Sequence, residues 1–277
     1  MKTKILAIGF ITIFLLASCN KEDKQTLSLN SSDIVDNSKL DNISDDVAQI
    51  VESQSNETVA GRHSSLSSGC LLNINTEQNG TTWVRTLDYG PTNCLQNNGN
   101  YLRGKIIITF QNDFNQATRT LNFSFQDFYH NDRHIEGNRT VVKTILPNGH
   151  IKADIDLNMT ITNPDPDGRV FMRTGHRIRE YNPVTNEFLV TGSWVTTNQS
   201  TGATHTNTIN DSSPLRIVYS CQQLPNQNRY EIVSGIITII KSNNNNSAVI
   251  DYGNGNCDNT GTITINGGSP IPFTLRN

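Results

Sequence analysis

The strongest constraint on this chain is a two-residue rhythm of apolar and polar side chains that begins near Leu71 and runs to the C-terminus. Its clearest stretch is Ile151 to Ile161. There Ile151, Ala153, Ile155, Leu157, Met159 and Ile161 alternate with Lys152, Asp154, Asp156, Asn158 and Thr160. Successive strand side chains point to opposite faces, so this is a strand with one dry and one wet face. Leu121, Phe123 and Phe125 repeat the pattern. Further runs lie at 82–88, 104–110, 134–145, 169–180, 187–196, 204–209, 214–220, 230–240, 247–252, 260–265 and 271–275. Turn chemistry separates them: Gln78-Asn79-Gly80, Pro147-Asn148-Gly149, Asp165-Pro166-Asp167-Gly168, Pro183-Val184-Thr185-Asn186 and Asn266-Gly267-Gly268. No convincing ten-residue helix follows residue 65. The pattern predicts an all-β domain, an antiparallel sandwich or open barrel of about 12–14 short strands. Gly104, Gly137, Gly192, Gly235 and Gly261 recur at strand starts or inside strands, where glycine marks a bulge or a bend.

The N-terminus is of another kind. Lys2 and Lys4 precede an apolar run, Ile5 to Leu16, of signal-peptide length and too short to span a bilayer. Leu16-Ala17-Ser18-Cys19 resembles the lipobox of bacterial lipoproteins. That resemblance implies a signal peptide over 1–18, lipid on Cys19 and anchoring by buried acyl chains at about 0.8 kcal/mol per CH₂. Lys21-Glu22-Asp23-Lys24 is similar to the surface-export signal of Bacteroidota lipoproteins, which implies display outside the outer membrane. Residues 19–65 are polar and poor in aromatics and read as a flexible lipidated tether, followed by the β domain over 66–277. One short helix is expected inside the tether, with Ser44 as its N-cap and Ile43, Val47, Ile50 and Val51 on one face.

Charge narrows the partners. Loss of the two signal-peptide lysines takes Lys+Arg from 22 to 20 against 25 acids, a net charge of -5. An acidic chain is a poor match for nucleic acid, because phosphate binding needs a basic surface. With Cys19 acylated, four cysteines remain: Cys70, Cys94, Cys221 and Cys257. An even number in an exported chain reads as two disulfides. Asp88-Tyr89-Gly90 precedes Cys94 much as Asp251-Tyr252-Gly253 precedes Cys257. This repeated context favours Cys70–Cys94 and Cys221–Cys257, each worth roughly 3 kcal/mol.

These two motifs, with Arg103-Gly104-Lys105-Ile106 and Ile135-Glu136-Gly137-Asn138-Arg139-Thr140, resemble a family of uncharacterised lipoproteins of Flavobacteria and their relatives. The likeness covers most of residues 70–277. It implies an outer-membrane location and the disulfides, and no particular reaction.

Few constellations suggest chemistry. His130 and His134 are four apart and could meet across a hairpin around a metal, although a polar turn is the simpler reading. Asp165-Pro166-Asp167-Gly168 opens like a calcium loop but lacks its later acidic ligands. Asp88, Asp251 and Asp258 read as turn caps. Arg169, Arg173, Arg177 and Arg179 share one side of a strand, with Val170, Met172 and Ile178 on the other. Four cations on one face could hold an anion. A hairpin centred near Pro166 would instead set Asp154 opposite Arg177, with Asp156 diagonal to Arg173 and Arg177, and cross-strand pairing is the favoured explanation. Trp194 reads as core beside Phe188 and Val190, whereas Trp83 and Tyr101 are candidates for stacking on sugars. No motif specifies a cofactor, a metal or a catalytic nucleophile. The expectation is a non-catalytic binding or adhesion module for a glycan or extracellular protein. A carrier of an apolar ligand in an open barrel comes next, and a hydrolase with dispersed residues third.

Overall fold

A computed structural model describes residues 31–55, 71–111, 116–224, 227–242 and 246–275. The elements are α1 (Ser31–Ser55), β1 (Asn73–Asn79), β2 (Thr82–Asp88), β3 (Cys94–Leu95), β4 (Tyr101–Gln111), β5 (Thr118–His130), β6 (Arg133–Ile145), β7 (Ile151–Thr162) and β8 (Val170–Asn182). They continue with β9 (Glu187–Asn198), β10 (Thr204–Ile209), β11 (Leu215–Leu224), β12 (Gln227–Lys241), β13 (Ser247–Asn254), β14 (Thr260–Ile265) and β15 (Ile271–Thr274). All strands belong to one antiparallel sheet of 15 strands, and the chain meanders through it in order from β1 to β15. Two features complicate the path. β3 caps the start of β4, and β10 and β11 occupy one slot between β9 and β12 as two halves of an interrupted strand.

Each predicted turn lies in a strand connection. Gly80 and Gly149 have positive φ in the β1–β2 and β6–β7 turns, and Asn186 takes the left-handed conformation between β8 and β9. Short hairpins favour such residues because the left-handed backbone matches the twist of the strands they join. The in-strand glycines mark bends. At Gly104, with φ of 83°, an added Cβ would lie 1.9 Å from the Asp127 carbonyl oxygen, and the β4–β5 register slips at that point. Gly235 meets the Pro214 carbonyl in the same way, beside a slip between β12 and β13. Glycine there lets neighbouring backbones close up while the sheet curls.

The curled sheet is an open barrel, and its interior is occupied by α1. Every turn of the helix meets strands. Asn37 bonds Asn207 of β10 and Thr196 of β9, Ser44 receives Arg139 of β6, Asp46 meets His130 of β5, and the Gln54 carbonyl accepts from Arg85 of β2. Ile34, Leu40, Ile43, Val47 and Val51 are at most 3% exposed and belong to one continuous core with Ile106, Phe123, Ile155, Trp194 and Ile250. Burial of side chains of this size contributes about 1.5–3 kcal/mol each.

This placement corrects the N-terminal expectation. Residues 31–55 are part of the folded core, not of a tether, and Ser44 is in mid-helix, not at its start. The cause lies in composition. Nineteen of the 25 residues of α1 are Ser, Asp, Asn, Ile or Val, all weak helix formers, and its last turn carries no cation. Such a segment is helical because the barrel surrounds it. Cys19 and Cys70 lie outside the described residues, as do residues 1–18, expected to be a signal peptide, and the expected boundary at 65/66.

Candidate functional site

The β7–β8 hairpin sets the chemistry of the interior. Asn163 donates its N–H to the Arg169 carbonyl, and from there the register pairs Met159 with Arg173, Ile155 with Arg177, Ala153 with Arg179 and Asp154 with Ile178. The expected pairing of Asp154 with Arg177 is therefore one residue out of step. In a sheet that slip exchanges the faces. Arg173, Arg177 and Arg179 join the apolar face of β7 and are each 1% exposed, while Val170, Met172 and Ile178 take the outer side. Asp154 and Asp156 remain on the wet face. Asp154 contacts Lys152 at 3.2 Å and Asp156 contacts His176 at 3.1 Å.

The inward arginines find their acids on α1. Arg173 donates to Asp41, Arg177 Nη1 to Asp45 at 2.9 Å, and Arg179 Nη1 to Glu52 at 3.1 Å. Asp41, Asp45 and Glu52 lie along one stripe of the helix at spacings of four and seven, and they meet residues on one face of a single strand. Arg139 adds two bonds, Nη1 to the Ser44 carbonyl at 3.1 Å and Nη2 to Ser44 Oγ at 2.6 Å. Aromatic rings support the guanidinium groups from the barrel wall. Arg177 lies 4.2 Å from the Trp194 ring and Arg179 4.3 Å from that of Phe188, distances that suit cation–π attraction.

The partition of charge is as uneven as the geometry. α1 holds six acids and one lysine, a net -5, which equals the net charge of residues 19–277. Residues 56–277 therefore balance to zero. The buried cations Arg85, Arg139, Lys143, Arg173, Arg177, Arg179 and Lys241 outnumber the buried acids Asp41, Asp45, Asp46 and Glu231, even with the half-buried Glu52 added. Burial dominates the proton affinities of Asp41, Arg139, Lys143 and Arg173. It raises the Asp41 carboxyl above the ordinary carboxylate range, with Arg173 and Arg177 opposing. It lowers the Arg173 guanidinium and the Lys143 amine, and it brings Arg139 down to about 9 with help from the neighbouring arginines. Several guanidinium nitrogens remain without acceptors: Nε and Nη1 of Arg173, Nε and Nη2 of Arg177, and Nε and Nη2 of Arg179. Arg177 Nη2 approaches Asp41 only to 3.9 Å.

The other sequence candidates resolve separately. His130 faces inward and meets Asp46 at 3.2 Å, whereas His134 stacks outside on Tyr129 at 4.7 Å, so the two rings are not brought together. The intervening Asn131 and Asp132 both have positive φ, as a tight hairpin requires. Among the described residues, no group of three His, Cys, Asp or Glu side chains is arranged to hold a metal. Asp167 is engaged by Asn163 and Arg169, and Arg169 also reaches Asp36 of α1 at 2.8 Å. Asp88, Asp251 and Asp258 cap their own turns, accepting from the N–H groups of Gly90, Gly253 and Thr260. Trp83 is core against Phe110, while Tyr101 is exposed. Cys221 and Cys257 form a disulfide with Cα atoms 5.4 Å apart, the pairing indicated by the repeated context, and Cys94 is also disulfide-bonded. The acids of α1 are the residues that sequence reasoning misses. Their one signal is a spacing of three and four shared with the apolar positions, in a segment whose composition reads as a linker.

No family model, curated protein or solved structure matches the chain.

Proposed function

We propose that the chain is a membrane-anchored lipoprotein whose β domain is a non-catalytic binding module presented on the outer surface of the cell. One observation carries the non-catalytic reading. The densest group of ionisable side chains in the described structure, the β8 arginines and the α1 acids, is spent on holding two parts of the protein together. The wet face of the sheet is polar, with Thr140 bonded to Asn122, Ser193 to Thr208 and Lys152 paired with Asp154. Such a face suits recognition of a glycan or an extracellular protein. The signal-like N-terminus and the lipobox at Cys19 support the anchor and its location.

Two measurements test this. Cells fed an alkyne-tagged palmitate should label the wild-type chain and not Cys19→Ala, and labelled protein should be cut by a protease added to intact cells. Labelling of Cys19→Ala, or full protection from the protease, contradicts the anchored surface reading. A glycan and matrix-protein array probed with residues 19–277 then tests the binding reading, which a blank array contradicts.

A second reading is a carrier that takes its ligand into the barrel. It is favoured by the surplus of buried guanidinium N–H groups on the concave face.

A further inference from the structure

We propose that the space occupied by α1 is a binding compartment for a single-chain anionic amphiphile, and that α1 is its built-in, displaceable occupant. The inference deepens the carrier reading, on which it rests, by naming the ligand chemistry and the segment that must move.

The barrel wall offers more donors than the helix uses. Arg173, Arg177 and Arg179 line one strand of the concave face and are fully enclosed. Each has one nitrogen bonded to an acid of α1 and two without an acceptor. A buried donor without a partner costs about 1–3 kcal/mol, more when charged. The helix thus fills the site without saturating it, and it leaves one acceptor of its own, Asp45 Oδ2, unused. A phosphate or carboxylate headgroup brings two or three acceptor oxygens to one point and can take paired N–H groups from adjacent guanidinium forks. Around those forks the wall is apolar: Ile155 and Met159 are the cross-strand partners of Arg177 and Arg173, and Trp194 lies beneath both guanidinium groups. A ligand matched to this wall needs an anionic end and a hydrocarbon end, and α1 mimics both with Asp41 and Asp45 beside Leu40, Ile43 and Val47.

The occupant is also suited to leave. At about 1.5 Å per residue, α1 fills a channel roughly 37 Å long, room enough for an extended alkyl chain. Its residues are poor helix formers, so its folding and its docking are one step. Undocked, it regains the conformational entropy of an unfolded segment and returns the buried Asp41, Asp45 and Asp46 to water. The β7–β8 ladder, by contrast, is held within the sheet by twelve residue pairs.

The test uses the mature chain carrying Cys19→Ser, so that its own lipid does not compete. Hexadecyl phosphate, hexadecanol and inorganic phosphate are titrated separately while amide hydrogen exchange is followed along the chain. The expected result is that hexadecyl phosphate accelerates exchange across Ile34–Val51 at least tenfold and leaves β7 and β8 protected, while the other two probes change nothing. Asp45→Asn should tighten hexadecyl phosphate binding about tenfold by weakening the occupant, and Arg177→Gln should weaken it about tenfold. If either variant fails to fold, the wild-type exchange pattern decides alone. The proposal is overturned if α1 stays protected at saturating amphiphile, if hexadecanol acts as well as its phosphate, or if α1 and the strands lose protection together as in surfactant denaturation. Such a result together with a positive array would remove the compartment and leave the surface-binding reading standing.

Discussion

The two faces of β8 carry the same kind of pair in opposite environments. On the concave side, Arg173 and Arg177 meet Asp41 and Asp45 with almost no access to water. On the convex side, one residue along, His176 meets Asp154 and Asp156 with 48%, 30% and 76% of the respective side chains exposed. Outside, solvent screens the charges and the contact is worth little. Inside, the loss of water around each ion outweighs everything else, so a charge becomes tolerable only with its partner present. The same chemistry is decoration on one face and a lock on the other.

The largest effect that separates the faces is loss of one inner partner. Arg173→Ala leaves the buried Asp41 without a hydrogen-bonded cation, with only Arg177 Nη2 at 3.9 Å, and urea denaturation should show a loss of about 3–5 kcal/mol. The double variant Asp41→Leu/Arg173→Met removes both charges and should recover most of that loss. Equal destabilisation by the single and double variants would mean that packing, not the unpaired charge, sets the cost.

A smaller effect arises at high pH. Tyr89 and Tyr252 are buried, and burial raises both phenols above the ordinary value of 10.0. Tyr252 also borders the helix through Ser38. A raised folded-state pKa gives stability that is complete below the unfolded value and declines as pH rises through the folded one. Stability should therefore fall above about pH 10. Phenolate absorbance from these two residues should emerge together with unfolding. Titration of both in the folded protein near pH 10 would show that the interior is wetter than the inner ion pairs imply.

The smallest effect belongs to the outer face. Asp156→Ala should change stability by no more than about 0.5 kcal/mol, and less in high salt. A loss comparable with that of Arg173→Ala would abolish the distinction between the faces.

How far these features can be read from the sequence depends on the range of the interactions behind them. Strands such as 82–88, 204–209 and 260–265 are legible to the residue because alternation and turn chemistry are local. The β7–β8 register differs from its expectation by one step because it depends on how the Asn163–Arg169 turn closes, and that single step moves three arginines from water into the core. α1 is hard to read because every local signal in it, Ser, Asp and Asn above all, points to a linker. Its helical state is imposed by arginines more than a hundred residues away, as the 132-residue separation of Asp41 from Arg173 shows. β1 escapes notice because its residues are largely polar and exposed, and β3 because it is only two residues long, Cys94 and Leu95.

Docking of α1 inside the barrel also fixes a distance. Eleven residues separate Cys19 from Ser31, a span of at most about 40 Å when fully extended. With Cys19 acylated as proposed, the domain works on a short leash close to the bilayer. Release of α1 would add 25 residues to that leash at the moment the compartment opens. Occupancy and reach would then be one variable, and a filled barrel would stand farther from its membrane than an empty one.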